Sequence, residues 1–405
     1  MAARFTTRVK RVGEAPIVAV RLWLRGGARL EDVPGQALLT GRLLAEGTRR
    51  RDWREIARES DDRGMLLQSL ATYESIGVTV DALAEDWRLA LDWAAELALE
   101  PSFPEDRLDW LRRQALGELE SLLDQPEVRA GRAFLEQLYT PHPYGRALQG
   151  DAESLGAVDA DACAGLHRRA LEWGGLLVVA GRIDEAAVES RAAELFGSLA
   201  GSAAELPPVD APRGLAEAHR EVEIPDDADQ AHLYAGHLTV PRRHPDTVAL
   251  AVLAVVLGAG AGMSGRLPER IREREGLAYH VDAATYVGAG LDAGRLVTYA
   301  ATSTDTAEAA ELAIREELTR LVDDGLDQAE FEEARSYLIG RDPFRRETAR
   351  QWADILAEAE FYGLETDRPE WVTERLGALE RADVEAAARR WIRPSELRVT
   401  VGRPR

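Results

Sequence analysis

Two stretches of this chain run through the same order of patterns, and that repetition narrows the available folds more than any single motif does. In the first stretch, apolar residues alternate over Ile17–Leu24 as in a strand. An apolar helix follows around Leu38–Leu44, then a basic helix over Asp52–Arg63, strands near Met65–Ala71 and Ser75–Val80, and a long helix from near Ala84. The apolar face of that last helix reads as Leu83, Trp87, Leu91, Ala94 and Leu97. The second stretch gives a strand over His232–Val240, an apolar helix Val248–Leu257, a charged helix Leu267–Glu275, strands near Leu277–Ala284 and Arg295–Thr302, and a long helix Thr306–Val322. LALEPSFPEDRLDWLRRQALGEL and RLVDDGLDQAEFEEARSYLIGRD both read as helix end, turn, acidic restart and amphipathic helix. Between the two stretches, Gly201–Gly214 combines small residues with three prolines and reads as a linker. The expectation is an α+β protein of two homologous domains, 1–200 and 215–405, joined by 201–214. Each domain should be a mainly antiparallel sheet with helices packed on one face.

Charge then removes a class of functions. The 405 residues carry 50 Lys+Arg against 71 Asp+Glu, a net charge of −21, whereas nucleic-acid binding is driven by cationic surfaces that release counterions. No nucleic-acid partner is expected. Cys163 is the single cysteine, so no internal disulfide forms. Arg21 interrupts the apolar stretch near the N-terminus, which alternates and is not recognised as a signal peptide; a cytoplasmic location is expected. The uncharged run Thr247–Gly265 ends in glycine, alanine and serine, so it reads as a buried helix plus a glycine loop and no membrane span is expected.

Few residues are spaced for chemistry of their own. The seven histidines, His142, His167, His219, His232, His237, His244 and His280, form no HxH, HxxxH or HxxEH, and each reads as a surface or turn residue. No GxSxG is present. A GxGxxG occurs as Gly260, Gly262 and Gly265, but after an apolar run too long for the strand of a dinucleotide fold, so it reads as a flexible or tight loop.

The segment from Ile17 to Thr48, with Gly35 and Gly47–Thr48 as anchors, resembles the start of the pitrilysin or insulinase-like zinc peptidases, whose HxxEH lies on a helix between such glycines. On that resemblance the first histidine falls on Leu38, the catalytic glutamate on Gly41 and the second histidine on Arg42. The third zinc ligand aligns with Glu118, followed by Asp124 and Pro126. One carboxylate cannot hold zinc, and Arg42 would repel a cation. RLPERIREREGLAYHV, from Arg266 to Val281, is similar to the substrate-binding segment in the family's zinc-free half, where an arginine and a tyrosine seven residues apart reach into the partner's active site. Here they are Arg272 and Tyr279. Gly276 should end the helix, leaving Leu277, Tyr279 and Val281 on one strand face. The alternative is a solvated Arg272 paired with a nearby glutamate and a core Tyr279. HPYG at His142–Gly145 and LVVAG at Leu177–Gly181 extend the resemblance over nearly the whole chain. Gly258–Gly265 (Gly258, Gly260, Gly262 and Gly265) is similar to a short form of the family's substrate-handling loop.

The resemblance implies the pitrilysin/LuxS-like metallohydrolase fold and the zinc-less subunit of a two-chain peptidase. The expected partner is an HxxEH-containing pitrilysin-like subunit that carries the zinc, and the substrates are extended peptides. No cofactor is expected in this chain, which is inactive alone and could pair with itself when isolated. The rivals are a structural or assembly subunit like the respiratory core proteins and, from the glycines, a dinucleotide enzyme.

Overall fold

The computed structural model describes residues 4–199, 201–225, 230–260 and 264–404. The first half of the chain folds as β1 (Phe5–Arg11), β2 (Ile17–Arg25), α1 (Gln36–Leu43), α2 (Trp53–Arg63), β3 (Leu66–Ala71), β4 (Ser75–Leu83), α3 (Trp87–Leu99), α4 (Glu105–Leu123), α5 (Pro126–Tyr139), α6 (Ala152–Ala157), α7 (Ala160–Trp173), β5 (Gly175–Gly181) and α8 (Glu185–Phe196). The second half gives β6 (His219–Ile224), β7 (Ala231–Leu238), α9 (Thr247–Ala254), wide helical turns at Val255–Ala259 and Pro268–Arg274, β8 (Ala278–Val287) and β9 (Arg295–Thr302). It closes with α10 (Ala307–Asp323), α11 (Gln328–Arg341), α12 (Ala349–Tyr362), α13 (Trp371–Gly377), α14 (Arg381–Trp391) and β10 (Arg398–Pro404).

The repetition seen in the sequence becomes a repeated topology. The two five-stranded sheets run in the orders β1-β5-β2-β4-β3 and β6-β10-β7-β9-β8, the same path twice. In each sheet one pair is parallel, β1 with β5 and β6 with β10, and the other pairs are antiparallel. The fold is α+β, as expected. The outer strands β1 and β6, and the inserted β10, were not anticipated, because each pairs with a strand far away in sequence.

Two compact units form. One contains residues 1–119, 146–210 and 344–367; the other contains 120–145, 211–343 and 368–405. Each unit therefore takes a segment from the opposite half of the chain, α12 in the first and α5 in the second. In the first unit Val18, Val20 and Leu22 face a core shared with Leu91, Ala94 and Leu97 of α3, and Val188 of α8. The opposite face of the same sheet presents Ala19, Val178 and Ala180 to Ala353, Leu356 and Phe361 of α12. Helices thus lie on both faces, with one borrowed helix on the second. Arg21, on that second face and 2% exposed, donates to Asp81 at 2.8 Å and to Asp354 of α12 at 2.6 Å. Arg350 pairs with Asp81 at 2.7 Å, so the borrowed helix is held by charge as well as packing. In the second unit Leu233, Ala235 and Ala300 pack on α9 and α10. On the other face Phe134 of α5 stacks on Tyr234 at 5.8 Å. Leu83 ends β4 and is 43% exposed, so it is not part of the α3 face.

No helix among the described residues is long and apolar enough to cross a membrane.

Candidate functional site

Within the first unit, α1 and α4 bring together the positions where the resemblance places a zinc motif. Leu38 and Arg42 lie one turn apart on α1 and are half-buried, while Leu39 and Leu43 point into the core. Arg42 Nη2 donates to Glu118 Oε2 on α4 at 2.6 Å. A guanidinium therefore already neutralises the one carboxylate that could have served a metal. Gly41 sits against strand β3 so closely that a Cβ there would lie 2.6 Å from the Leu70 carbonyl oxygen and 3.0 Å from Ala71 Cβ. No glutamate fits at that position without moving the strand. Among the described residues no group of three or more His, Cys, Asp or Glu could hold a metal ion. The residues present do not fit zinc, and no chemistry is routed through it on this chain. Ahead of α1, the buried Glu31 accepts the Ala37 N–H at 3.0 Å, and burial pushes its carboxyl up to about 7.

The second locus lies wholly in the other unit. Pro268–Arg274 forms a helical turn, Gly276 reverses the chain at φ +62°, and β8 begins at Ala278. Ala278 pairs with Thr302, but the next pair is His280 with Ala301, so Tyr279 is the extra residue of a β-bulge on the outermost strand. The bulge breaks the alternation expected for Leu277, Tyr279 and Val281. Val281 is buried, whereas Tyr279 is 75% exposed, and His280 beside it is exposed too. Tyr279 is therefore not a core residue. The half-buried Arg272 lies with its guanidinium carbon 5.0 Å from the Tyr279 ring centroid, in cation–π contact, and its Nε is 3.5 Å from Glu273 Oε1. The structure thus brings the two sequence-selected residues together as one donor pair, a half-buried guanidinium on an exposed phenol, able to bind a carbonyl oxygen.

The glycine-rich segment follows α9 rather than a strand. Gly258 at φ +153° and Gly265 at φ +131° adopt backbone that side chains avoid, and a Cβ on Gly265 would meet Gly258 Cα at 2.7 Å. Gly258 and Gly265 thus meet in close backbone contact, and the segment lacks the strand before it that a dinucleotide site has. Gly260 lies between them; Gly262 falls outside the described residues.

The histidines correct the sequence reading. His142, His167, His232 and His237 are all buried. His237 accepts the Arg393 N–H at 3.0 Å, His167 Nε2 lies 2.7 Å from the Ala98 carbonyl, and His142 Nε2 lies 3.2 Å from Asp292 Oδ2. Burial pushes His167, His232 and His237 below their usual range. Their sequence spacing carried no sign of this, because the neighbours that bury them include residues distant in sequence, such as Ala98 beside His167 and Arg393 beside His237.

Comparison with known proteins follows the same division. Residues 9–152 match the family model described as Insulinase (Peptidase family M16), and residues 176–338 the one described as Peptidase M16 inactive domain. An uncharacterized zinc protease of Mycobacterium leprae is 30% identical over 350 residues, covering 85% of this chain and 78% of its own length. A protein of Helicobacter pylori named as a non-peptidase homolog, YmxG, is 27% identical over 341 residues, 82% of this chain and 76% of its own. Among solved structures, a peptidase M16 inactive domain from Pseudomonas fluorescens aligns with a TM-score of 0.87 at 23% identity, over 99% of this chain and 95% of that one. A chain of complex III2 from Candida albicans aligns with a TM-score of 0.78 at 14% identity, over 98% and 93%. Both structures share the fold.

Proposed function

This chain belongs to the insulinase peptidase family, M16, and from that premise we propose that it is the zinc-less, peptide-handling subunit of a two-chain peptidase whose partner carries HxxEH. The observation that carries the reading is the Arg272–Tyr279 pair. Tyr279 stands outward at a bulge with the Arg272 guanidinium on its ring, and both groups are hydrogen-bond donors suited to a peptide carbonyl. The Arg42–Glu118 pair supports the division of labour, since it occupies the place where this chain would otherwise need a metal. On this reading Arg272 and Tyr279 hold the scissile carbonyl and the oxyanion that develops from it, while attack by metal-bound water belongs to the partner. The Gly258–Gly265 segment, a short distance before Arg272 in sequence, is the candidate to guide the peptide.

An assembly subunit without peptide handling is the competing reading, and the relative named as a non-peptidase homolog is compatible with both. Co-expression with an HxxEH chain, followed by a peptide-cleavage assay, separates them. The proposal expects no cleavage by this chain alone and chelator-sensitive cleavage by the mixture. A stable complex with cleavage that is indifferent to Arg272 and Tyr279 would assign the chain to assembly.

A further inference from the structure

Between Arg272 and Tyr279 the chain makes a reversal that helical and strand hydrogen bonds do not by themselves fix. Gly276 turns it with a positive φ, and Leu277, the residue between turn and strand, is gripped on both sides of its peptide. Its N–H donates to the Ile271 carbonyl at 2.8 Å. Its carbonyl accepts from Thr302 Oγ1 at 2.5 Å and from Thr306 Oγ1 at 3.2 Å, and the two hydroxyls lie 2.6 Å apart. Thr302 is 1% exposed, so little water competes for this bond. Thr302 also faces Ala278 across the ladder, and the next pair is Ala301 with His280. With Ala278 paired with Thr302 and His280 registered on Ala301, one residue too many, Tyr279, lies between the two pairs and bulges outward, and the Thr302 hydroxyl on the Leu277 carbonyl holds the strand start in that register.

We propose that Thr302 and Thr306 are positioning residues for the Arg272–Tyr279 pair: their hydroxyls hold the Leu277 carbonyl, so that Tyr279 is the bulged residue and its ring comes to rest on the Arg272 guanidinium. The inference deepens the peptide-handling reading and rests on it only for what the pair then binds. The bond from hydroxyl to carbonyl is local and buried, whereas the phenol it sets is exposed. The latch therefore acts on direction rather than on contact with a peptide.

The test uses the full chain and compares Thr302→Val, which keeps shape and removes the hydroxyl, with Thr302→Ser, which restores a hydroxyl. Thr298→Val is the control: Thr298 Oγ1 makes an equally buried bond to the Ala235 carbonyl at 2.9 Å, on the same strand but away from the bulge. Ring-current displacement of the Arg272 side-chain proton resonances, assigned with Tyr279→Leu, reports the stacking directly. Thermal unfolding reports general stability, and anisotropy of a fluorescein-labelled unstructured peptide reports binding. Thr302→Val should remove at least about half of the ring-current displacement and weaken peptide binding about 5- to 30-fold, the range for losing a buried hydrogen bond. Thr302→Ser should retain both, and Thr298→Val should lower the melting temperature without moving either. If Thr302→Val does not fold, Thr306→Val carries the same test with a smaller effect in the same direction. Unchanged Arg272 resonances in the folded Val variants, or an equal change in Thr298→Val, would overturn the proposal. Loss of the displacement with unaltered peptide binding would uphold the latch and remove the peptide-handling reading.

Discussion

Replacing Gly41 by alanine tests whether the lost zinc motif has been closed off by packing. In an ordinary helix the change is stabilising, because alanine has about 1 kcal/mol more helix propensity than glycine. At Gly41 the new Cβ would lie 2.6 Å from the Leu70 carbonyl oxygen, 3.2 Å from its carbon and 3.0 Å from Ala71 Cβ, contacts made mainly with strand backbone that cannot rotate away. Forcing a methyl into such a site costs about 1 to 3 kcal/mol, and α1 and β3 would have to separate. The expected net effect is destabilisation by up to about 2 kcal/mol. Gly117 on α4 supplies the internal comparison: its Cβ would meet nothing within 4 Å, so Gly117→Ala should stabilise by roughly 0.5 to 1 kcal/mol. Urea unfolding of both variants beside the wild type, followed by far-UV circular dichroism, gives the two shifts in midpoint. Opposite signs are expected. A Gly41→Ala protein that gains stability as Gly117→Ala does would refute the argument that no catalytic glutamate fits there, since glutamate must place the same Cβ and then bury a carboxylate as well.

Metal analysis of the purified chain should find no stoichiometric zinc, and chelator should leave its melting temperature unchanged; zinc bound beside Glu118 would contradict the reading of Arg42 as that carboxylate's partner. In an assembled complex with an HxxEH chain, Arg272→Ala or Tyr279→Phe should lower kcat/KM by about 10- to 1000-fold, with the double variant costing less than the product of the two; steady-state kinetics at constant partner decides it. Glu31, raised to about 7 by burial, contributes stability that is complete below its unfolded pKa and is lost as pH rises through 7. Glu31→Gln should therefore gain on the wild type between pH 5 and pH 8, by on the order of 2 kcal/mol in urea midpoints, and a constant difference would sink the assignment. His167, His232 and His237, all lowered by burial, contribute the opposite slope: their stability is present above about 6.5 and is lost as pH falls from there through their folded values. With Gln at position 31, stability should begin to fall just below that pH.

Much of the local structure was legible because the chain writes it locally. Alternation over Ile17–Leu24 gave β2, and the helix read over Asp52–Arg63 is α2, which Asp52 caps. The arginine and tyrosine were picked out by the family resemblance of Arg266–Val281, and a short reversal joins them. What could not be read depends on partners far along the chain. β10 inserts between β6 and β7, some 160 residues away from the latter, and nothing in its own seven residues says so. The bulge at Tyr279 follows from Thr302 and Ala301 on the neighbouring strand, and this is why a simple alternation misplaced Leu277 and Val281 relative to it. The closure at Gly41 is likewise invisible until β3 is laid against α1.

The exchange of α12 and α5 has a consequence for how the protein is made. Synthesis proceeds from the N-terminus, so β1 to β5 are complete once Gly181 has left the ribosome, but α12 ends at Tyr362. At about 5 to 20 residues per second, roughly 180 further residues delay that helix by about 10 to 40 s. During that interval Ala19, Val178 and Ala180 face solvent, and Arg21 has Asp81 without Asp354. The nascent first sheet is thus a sticky, half-covered intermediate throughout translation of most of the second half. A chain broken between 201 and 214 would leave that face uncovered for good unless the second fragment arrived in time. The borrowed helix thus makes the order and timing of synthesis, and not only the finished packing, a determinant of whether the first sheet stays soluble.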